Sequence, residues 1–352
     1  MKQIFLNCIY LLAACVLLAA CDKSVEEDPI KPQEKRTVLM LTSSGIVFNK
    51  DGEVVKELPN CAYATQMISD GNDYFVSGAF VKGEEERVGY WKNGKWNTLH
   101  VDFIDDVDHT MYGIGKWDYY IYLLDYPNVL KNSGIFPLED GHLFMPASQG
   151  LAVSNGKCYV VGSKLVDHVK SRYMPVLYTE SKGKYVATML PVPDGVTSGD
   201  CTSVYAYDTD HYLIGGWAGD RPAVWSDGTF YQLPLTNYVE QADDDEHSIQ
   251  GEVKSVTMCN GVFYAVGSEE GETGMSVATL WKNSEIHHLT YQANIMSSEA
   301  LEVKTYGDDV YTITREYGFN SMDEFVTTTV LWMNGKVISA LPGIAVISFA
   351  IL

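Results

Sequence analysis

Basic residues are scarce in this sequence. The 352 residues include 25 lysines and arginines against 46 aspartates and glutamates, which gives a formal net charge of −21 at pH 7. A protein this acidic is repelled by the phosphates of nucleic acids and by anionic lipid surfaces. The composition therefore argues against nucleic acid as a partner.

Cysteine is scarce too, and its spacing speaks against two kinds of site. The seven cysteines include no Cys-x-x-Cys pair, so the sequence gives no support for a zinc or redox site. Cys158 and Cys259 lie within or beside apolar strand residues and are predicted to be buried thiols. No cofactor is predicted.

Two apolar runs stand at the ends of the chain. Residues 343–352 are too few to span a bilayer, which takes about 20 helical residues, and are predicted to form a buried strand. Residues 1–20 have a basic start, an apolar middle and small residues before the cleavage site. This layout predicts a secretory signal peptide.

Leu18-Ala-Ala-Cys21 resembles the lipobox of bacterial lipoproteins. The resemblance implies that Cys21 is lipidated and anchors the protein without a spanning helix. Residues 21–36 are polar and aperiodic, which predicts a flexible tether behind the lipidated cysteine. Glu26-Glu27-Asp28 resembles the surface-export signal of lipoproteins from Bacteroides-type bacteria, which implies display on the outer membrane. Asp22 implies inner-membrane retention under the rule of enteric bacteria, so inner-membrane anchoring and a periplasm-facing position stay open.

A repeated motif fills residues 37–352. Its clearest copies are Tyr74-Phe-Val-Ser-Gly78 with Tyr90-Trp-Lys-Asn-Gly-Lys95, and Tyr264-Ala-Val-Gly267 with Leu280-Trp-Lys-Asn283. Weaker copies begin at Tyr120, Tyr159, Tyr212 and Tyr311, and turns follow at Asp140-Gly141, Lys182-Gly183, Asp227-Gly228 and Asn334-Gly335. Asn-Gly and Asp-Gly supply the positive φ of a two-residue hairpin. Short strands that recur about every 40 to 50 residues are typical of propeller blades.

Inner strands are predicted to start at seven places, near Gln66, Thr110, Leu151, Ser203, Ser255, Leu301 and Ala345. The last start has no further strands after it, whereas Val38 to Thr42, Gly45 to Asn49 and Val54 to Leu58 have no inner strand before them. One blade built from both termini would close the ring and hide its strand edges. The sequence therefore predicts one all-β domain at 37–352, a seven-bladed β-propeller. Unrelated hairpins of a β-sandwich are the alternative.

Long segments are predicted to gather on one face of the propeller, where second strands connect to third strands and where blades connect. Among them are residues 81–87, 124–134, 164–174, 268–276 and 315–324. Function concentrates in long loops on a rigid scaffold. This face is therefore the predicted binding surface.

Arginines and aromatic residues on that face are the candidate ligand contacts. Arginine forks suit carboxylates, sulfates and phosphates, and exposed rings suit the apolar faces of sugars. Trp217 and Arg221 share one short segment and are the leading pair. The full candidate set is Trp217, Arg221, Arg172, Arg315, Tyr126, Tyr173, Asp108 and His109.

Two simpler alternatives apply to such residues. The four arginines at 87, 172, 221 and 315 could pair with neighbouring acids such as Glu85, Asp220 and Glu316. Trp91, Trp225, Trp281 and Trp332 recur at one blade position and are predicted to pack between blades, not to bind ligand.

Two acidic clusters could hold calcium, which takes several carboxylate and carbonyl oxygens. They comprise Asp102, Asp105, Asp106 and Asp108, and residues 243–246. Neither has the spacing of an EF-hand, and charged runs are usually solvated loops.

The Tyr-Trp-Lys-Asn-Gly-Lys repeat resembles β-propeller lipoproteins of Bacteroides-type bacteria, which implies fold and location more than activity. Signatures of WD40, kelch and sialidase propellers are missing from the sequence. A non-catalytic module that binds a glycan or peptide is therefore predicted. A hydrolase or lyase acting on a polysaccharide is one alternative, with Asp108, His109, Arg172, Arg221 and His247 around the channel. The other is a structural partner in an envelope complex, with an apolar patch on the loop face.

Overall fold

The computed structural model describes residues 36–98, 110–132, 134–238, 249–292, 295–319, 322 and 324–352, without the side chain of His142. Residues 37–352 form one compact unit. Cys21, Asp108, His109 and His247 lie outside the described residues, as do the signal peptide and both acidic clusters. Their predicted roles stay predictions.

Strands dominate the described residues. The one helical element among them is the 3-10 turn Gly141–Leu143. Within these residues no helix has the length and apolar character needed to cross a membrane. The prediction of an all-β fold is confirmed.

The strands form seven groups of four, here called sheets 1 to 7 and written from the innermost strand outward. Sheet 1 contains β28 (Val346–Ile351), β1 (Val38–Thr42), β2 (Ile46–Asn49) and β3 (Val54–Glu57). Sheet 2 contains β4 (Cys61–Asp70), β5 (Asp73–Lys82), β6 (Glu85–Lys92) and β7 (Lys95–Asn97). Sheet 3 contains β8 (Thr110–Trp117), β9 (Tyr120–Tyr126), β10 (Asn128–Lys131) and β11 (Gly134–Pro137).

The remaining sheets repeat the same antiparallel order. Sheet 4 contains β12 (Phe144–Ser154), β13 (Lys157–Asp167), β14 (Arg172–Ser181) and β15 (Lys184–Met189). Sheet 5 contains β16 (Gly199–Ala206), β17 (Tyr212–Ala218), β18 (Arg221–Ser226) and β19 (Thr229–Gln232). Sheet 6 contains β20 (Gly251–Cys259), β21 (Val262–Glu270), β22 (Ser276–Lys282) and β23 (Glu285–His288). Sheet 7 contains β24 (Ile295–Tyr306), β25 (Asp309–Phe319), β26 (Phe325–Met333) and β27 (Lys336–Pro342).

The innermost strands lie side by side around one axis. β28 contacts β4, each inner strand contacts the next, and β24 contacts β28. A single parallel pair, Gln149 with Ser203, joins sheets 4 and 5 into one eight-stranded sheet. The sheets thus have a β-propeller-like arrangement, and each inner strand begins on one face, the upper face, and ends on the lower face.

Sheet 1 draws its strands from both ends of the described chain. Val38 pairs with Ile351 and Met40 with Phe349, and all four side chains are buried. The Ser348 hydroxyl accepts the Met67 N–H at 3.0 Å, which ties β28 to sheet 2. The strand predicted to start near Ala345 therefore pairs with the strand predicted from Val38 to Thr42.

A register shift in each inner strand explains the glycine of the repeated motif. The shift brings a backbone carbonyl of the inner strand close to the second strand. A Cβ atom on Gly267 would lie 2.0 Å from the backbone oxygen of Glu252, and a Cβ atom on Gly216 would lie 2.0 Å from that of Asp200. No side chain fits such an approach. Gly78 and Gly162 meet the same obstacle in sheets 2 and 4.

The asparagines and aspartates at the predicted turns have a second function besides turning the chain. Positive φ is found at Asn93, Asp227 and Asn334, each followed by a positive-φ glycine, as the two-residue hairpin requires. Each side chain also accepts a backbone N–H of the second strand, as in Val310 N–H to Asn334 Oδ1 at 2.9 Å. The turn thereby fixes three strands of its sheet.

Two details of the predicted layout are wrong. Asp140-Gly141 does not connect the third and fourth strands of sheet 3. Because those strands, β10 and β11, have only four residues each, the sheet ends earlier in the chain, and Asp140-Gly141 belongs to the 3-10 turn that follows β11. The predicted long loops are mostly paired strand: β5 and β6 leave two residues between them, and β9 and β10 leave one. Polar residues there continue the antiparallel ladders and do not form irregular loops.

The repeated tryptophans and the cysteines pack as the sequence predicts. Trp91, Trp225, Trp281 and Trp332 are all buried. The indole N–H groups of Trp225 and Trp281 donate to the carbonyls of Pro191 and Pro234, at 2.7 and 2.8 Å, in the linkers that leave the preceding sheets. Cys158 and Cys259 are buried, and they, Cys61 and Cys201 are free thiols.

Candidate functional site

A cavity opens on the upper face, around the axis of the inner strands. Its volume is about 780 Å³, which is within the range of small-molecule sites. It is lined from all seven sheets by Ser43, Tyr63, Thr65, Gln66, Thr110, Met111, Tyr112, Ser148, Gln149, Thr202, Glu252, Lys254, Glu299, Leu301, Arg315, Ile347 and Ser348, with Ala64. We call it the upper cavity.

A second cavity of about 360 Å³ is lined by the later halves of the inner strands. Gln66 and Gln149 line both cavities. The Gln66 side chain accepts the Ile114 N–H, and the Gln149 amide donates to the Leu301 carbonyl, both at 3.0 Å. These amides hold neighbouring and opposite inner strands together between the two cavities.

Charged residues of sheets 6 and 7 form one wall of the upper cavity. Lys254 Nζ lies 3.2 Å from Glu252 Oε1 and also pairs with Glu299. Arg315 Nη1 lies 3.4 Å from Glu299 Oε1, and the Tyr317 hydroxyl donates to that oxygen at 2.7 Å. Acid and base alternate along this charged wall.

The ion pairs of the charged wall keep Glu299 and Lys254 ionised. Burial favours the neutral form of Glu299, but Lys254 and the Tyr317 hydroxyl outweigh burial and leave the pKa of Glu299 lowered. Burial likewise opposes charge on Lys254, yet Glu252 and Glu299 raise its pKa. Glu299 and Lys254 are therefore suited to holding a polar ligand and poorly suited to exchanging protons near neutral pH.

The opposite wall, from sheets 2 to 4, has no charged side chain among its described lining residues. It presents the phenols Tyr63 and Tyr112, the hydroxyls of Thr65, Thr110 and Ser148, and Gln149. The Tyr63 oxygen accepts the Met111 N–H at 3.2 Å, which positions the ring. We call these residues the neutral wall.

Asp200 stands on β16, two residues before Thr202 of the cavity lining. Burial raises its pKa to about 6; Glu252 adds to this, while the Ser163 hydroxyl and the Cys201 N–H act against it. Its Oδ1 atom is buried and has no hydrogen-bond partner among the described residues. An ionised carboxylate is therefore held here at a cost in stability.

Asp200→Asn is expected to stabilise the fold at neutral pH. A pKa raised from 3.8 to about 6 makes the native state bind more protons than the unfolded state between those values. Wild-type stability therefore falls as the pH rises from about 4 to about 6 and levels off above that. The loss at pH 7.5 is about 3 kcal/mol. Urea unfolding should show Asp200→Asn as more stable at pH 7.5 and equal to the wild type near pH 4.

The exposed Asp194 supplies the control, because Asp194→Asn should change stability by less than about 0.5 kcal/mol at either pH. An Asp200→Asn effect that does not vary with pH would refute the assignment.

The structure places the candidate residues of the sequence in different surroundings. Arg315 lines the upper cavity, where its Nη2 donates to the Val346 carbonyl at 2.8 Å. The guanidinium of Arg221 lies 3.8 Å from the centre of the Tyr238 ring. Arg172 is half-buried opposite Asp167. Arg87 is exposed and pairs with Glu85 at 2.6 Å, one of the acids named for it in the ion-pair alternative.

The aromatic candidates are half-buried strand residues. Trp217 lies on β17 between Asp200 and Pro222 in the strand register. Tyr126 packs against the core between sheets 3 and 4, and Tyr173 pairs with Leu165. None of these three lines the upper cavity. Metal binding finds no support in the described residues, where no three His, Cys, Asp or Glu side chains are grouped to hold an ion.

Among the described residues, Glu269, His288 and Thr236 form a grouping that resembles a catalytic set. Glu269 is buried and accepts the N–H of Thr236 at 2.8 Å and its hydroxyl at 2.7 Å. His288 meets both residues through the same nitrogen, Nε2. A nucleophile, base and orienting acid need both ring nitrogens, so this grouping anchors the linker between sheets 5 and 6. Glu316 does the same for the next linker by accepting the Tyr291 N–H at 2.6 Å.

Comparison with known proteins identifies fold similarity alone. No family model and no curated protein matches the chain. A puromycin-hydrolysing peptidase of Mycobacterium tuberculosis is similar in structure at 10% identity and a TM-score of 0.51, covering 86% of this chain and 52% of the peptidase. This chain thus spans about half of that protein.

Two further structures align less well. A neuraminidase-like protein of A/flat-faced bat/Peru has 10% identity and a TM-score of 0.44, covering 84% of this chain and 97% of its own. The endosialidase of phage phi92 has 12% identity and a TM-score of 0.36, covering 85% and 56%.

Proposed function

We propose that this chain is a seven-bladed β-propeller, closed by a blade shared between its ends, that binds a polar ligand without transforming it. The propeller proposal is supported by the cyclic contacts of the inner strands and by the pairing of β28 with β1. The observation that carries the binding proposal is the upper cavity, about 780 Å³ in volume and lined by polar residues of every sheet. Glycans and peptides are the ligand classes that suit it.

The ionic state of the cavity favours binding over catalysis. Glu252, Lys254, Glu299 and Arg315 are linked by successive ion pairs, so they are already arranged to meet a ligand's polar groups. Such pre-organisation reduces the cost of ordering side chains on binding. A hydrolase or lyase has one observation in its favour, the raised pKa of Asp200, since a general acid needs a pKa near the working pH.

Blocking the cavity mouth is the direct test. Thr110 is exposed and lines the cavity, so Thr110→Trp should obstruct it without disturbing the core. Ligands found with glycan and peptide arrays should bind the full chain, purified in detergent, at least tenfold more tightly than this variant. Trp217→Ala and Arg221→Ala alter the leading pair of the sequence prediction and should change affinity less than twofold.

The opposite pattern, with binding lost in Trp217→Ala and Arg221→Ala but retained in Thr110→Trp, would move the site to the β17–β18 hairpin. Cleaved products in the same mixtures would establish the hydrolase or lyase alternative.

We also propose a lipid anchor in the bacterial cell envelope, with the outer-membrane surface as its place. Leu18-Ala-Ala-Cys21 and the acidic Glu26-Glu27-Asp28 support it. Cys21→Ala should move the protein from the membrane fraction to the soluble fraction, because acyl chains supply about 0.8 kcal/mol per buried methylene. Unchanged membrane association in that variant would contradict the anchor.

A further inference from the structure

The charged wall has a polarity along its length. Glu252 stands at one end, on sheet 6, and pairs with Lys254 at 3.2 Å. Arg315 stands at the other end, on sheet 7, with Lys254 and Glu299 paired between them. A carboxylate therefore forms one end of the wall, and a cation forms the other.

Both ends of the wall belong to the cavity lining. Glu252 and Arg315 each line the upper cavity. Arg315 Nη2 donates to the Val346 carbonyl at 2.8 Å, which holds the guanidinium in place.

We propose that the upper cavity binds short peptides with free termini, the ammonium group toward Glu252 and the carboxylate toward Arg315. This inference rests on the proposed function and names its ligand class. Charge-assisted hydrogen bonds of this kind are about twice as strong as neutral ones. A neutral sugar can bond to both ends but supplies neither opposite charge.

The neutral wall completes the fit. Tyr63, Met111 and Tyr112 offer apolar area to peptide side chains, while Thr65 and Gln149 offer hydrogen bonds to peptide groups. Because the cavity volume is about 780 Å³, it accommodates a peptide of a few residues and not a folded chain. Side-chain selectivity should be broad, because the charges address the termini.

Calorimetric titration of the full chain in detergent tests the assignment. The probes are a panel of free tripeptides, the same panel with acetylated N-termini or amidated C-termini, and neutral trisaccharides. Free tripeptides should bind, and blocking either terminus should weaken binding at least tenfold.

Variants assign each terminus to its end of the wall. In Arg315→Gln, amidated and free peptides should bind alike while acetylation still weakens binding; in Glu252→Gln the pattern reverses. A merely structural role for these residues would weaken all peptides equally. Arg221→Gln, which removes an arginine outside the cavity lining, should leave the whole pattern unchanged.

Several results would overturn the peptide proposal. Equal binding of the free, acetylated and amidated peptides would overturn the proposal, as would a loss in Arg315→Gln that is independent of the C-terminal group. Binding of trisaccharides but not of peptides would overturn the peptide assignment and leave the proposed function standing. Binding of neither class would overturn both.

Discussion

A chain that ends after Ala345 is expected not to fold. The truncation removes β28 and with it the buried side chains of Val346, Phe349 and Ile351. It also exposes the inner edge of β1, whose residues from Val38 to Leu41 are buried and paired with β28. An unpaired apolar edge of this kind favours aggregation. Circular dichroism and size-exclusion chromatography should show an unfolded or aggregated product.

Complementation separates this effect from a general intolerance of truncation. A synthetic peptide of residues 343–352, added during refolding, should restore a cooperative unfolding transition. Two single substitutions provide a matched comparison. Phe349 is fully buried, so Phe349→Ala should lower the free energy of unfolding by about 3–5 kcal/mol. Phe319 is 50% exposed, so Phe319→Ala should lower it by less than about 0.5 kcal/mol. A truncated chain that melts at the wild-type temperature would show that β28 does not hold the sheets together.

Trp281→Ala is expected to destabilise the protein by about 3–5 kcal/mol. The indole is fully buried, packs with Leu213, Val224 and Val253 between sheets 5 and 6, and donates to the Pro234 carbonyl at 2.8 Å. The substitution therefore leaves a cavity and an unpaired carbonyl at one boundary between sheets. Equilibrium unfolding in urea measures the loss.

Trp117 provides the matched control. Its side chain is 38% exposed, so Trp117→Ala should cost about 1 kcal/mol or less. Trp281→Phe restores most of the volume but not the hydrogen bond, and should lie between the two. If Trp281→Ala and Trp117→Ala cost the same, the repeated tryptophans do not hold neighbouring sheets together.

The strand inventory was predictable because turn chemistry is local. Asn-Gly and Asp-Gly at positions such as 93 and 227 require positive φ, and the structure has it there. The buried repeated tryptophans were predictable for a similar reason, since each copy meets the same surroundings. A second repeat, the dipeptide Leu-Pro, lies where the chain leaves four of the sheets. It begins at Leu58, Leu190, Leu233 and Leu341. It shows where each fourth strand ends.

The extent of the hairpins was less predictable. Residues 81–87 and 315–324 are polar and look like loops, yet most of them continue the strand ladders. The ladder bonds join backbone groups and leave little trace in side-chain composition. Pairing at these places depends on the neighbouring strand, which a local pattern does not reveal.

The charged wall was hidden for a different reason. Glu252, Lys254 and Glu299 look like ordinary solvated charges at strand starts, and only the adjacency of β20 and β24 brings them together. One signal was present in the sequence: Arg315 directly follows Thr314, which stands where other copies of the motif have the glycine of Tyr-x-x-Gly. A large cation next to the point where the first and second strands approach most closely indicates a position with a specific function.

The pairing of β28 with β1 also constrains when the protein can mature. Val38 leaves the ribosome early, but its partner Ile351 is synthesised only after the intervening sheets. Contacts this distant in sequence slow folding, and a nascent chain must hold an open strand edge until they form. Chaperones that shield that edge before β28 is in place are therefore expected to govern how much protein matures.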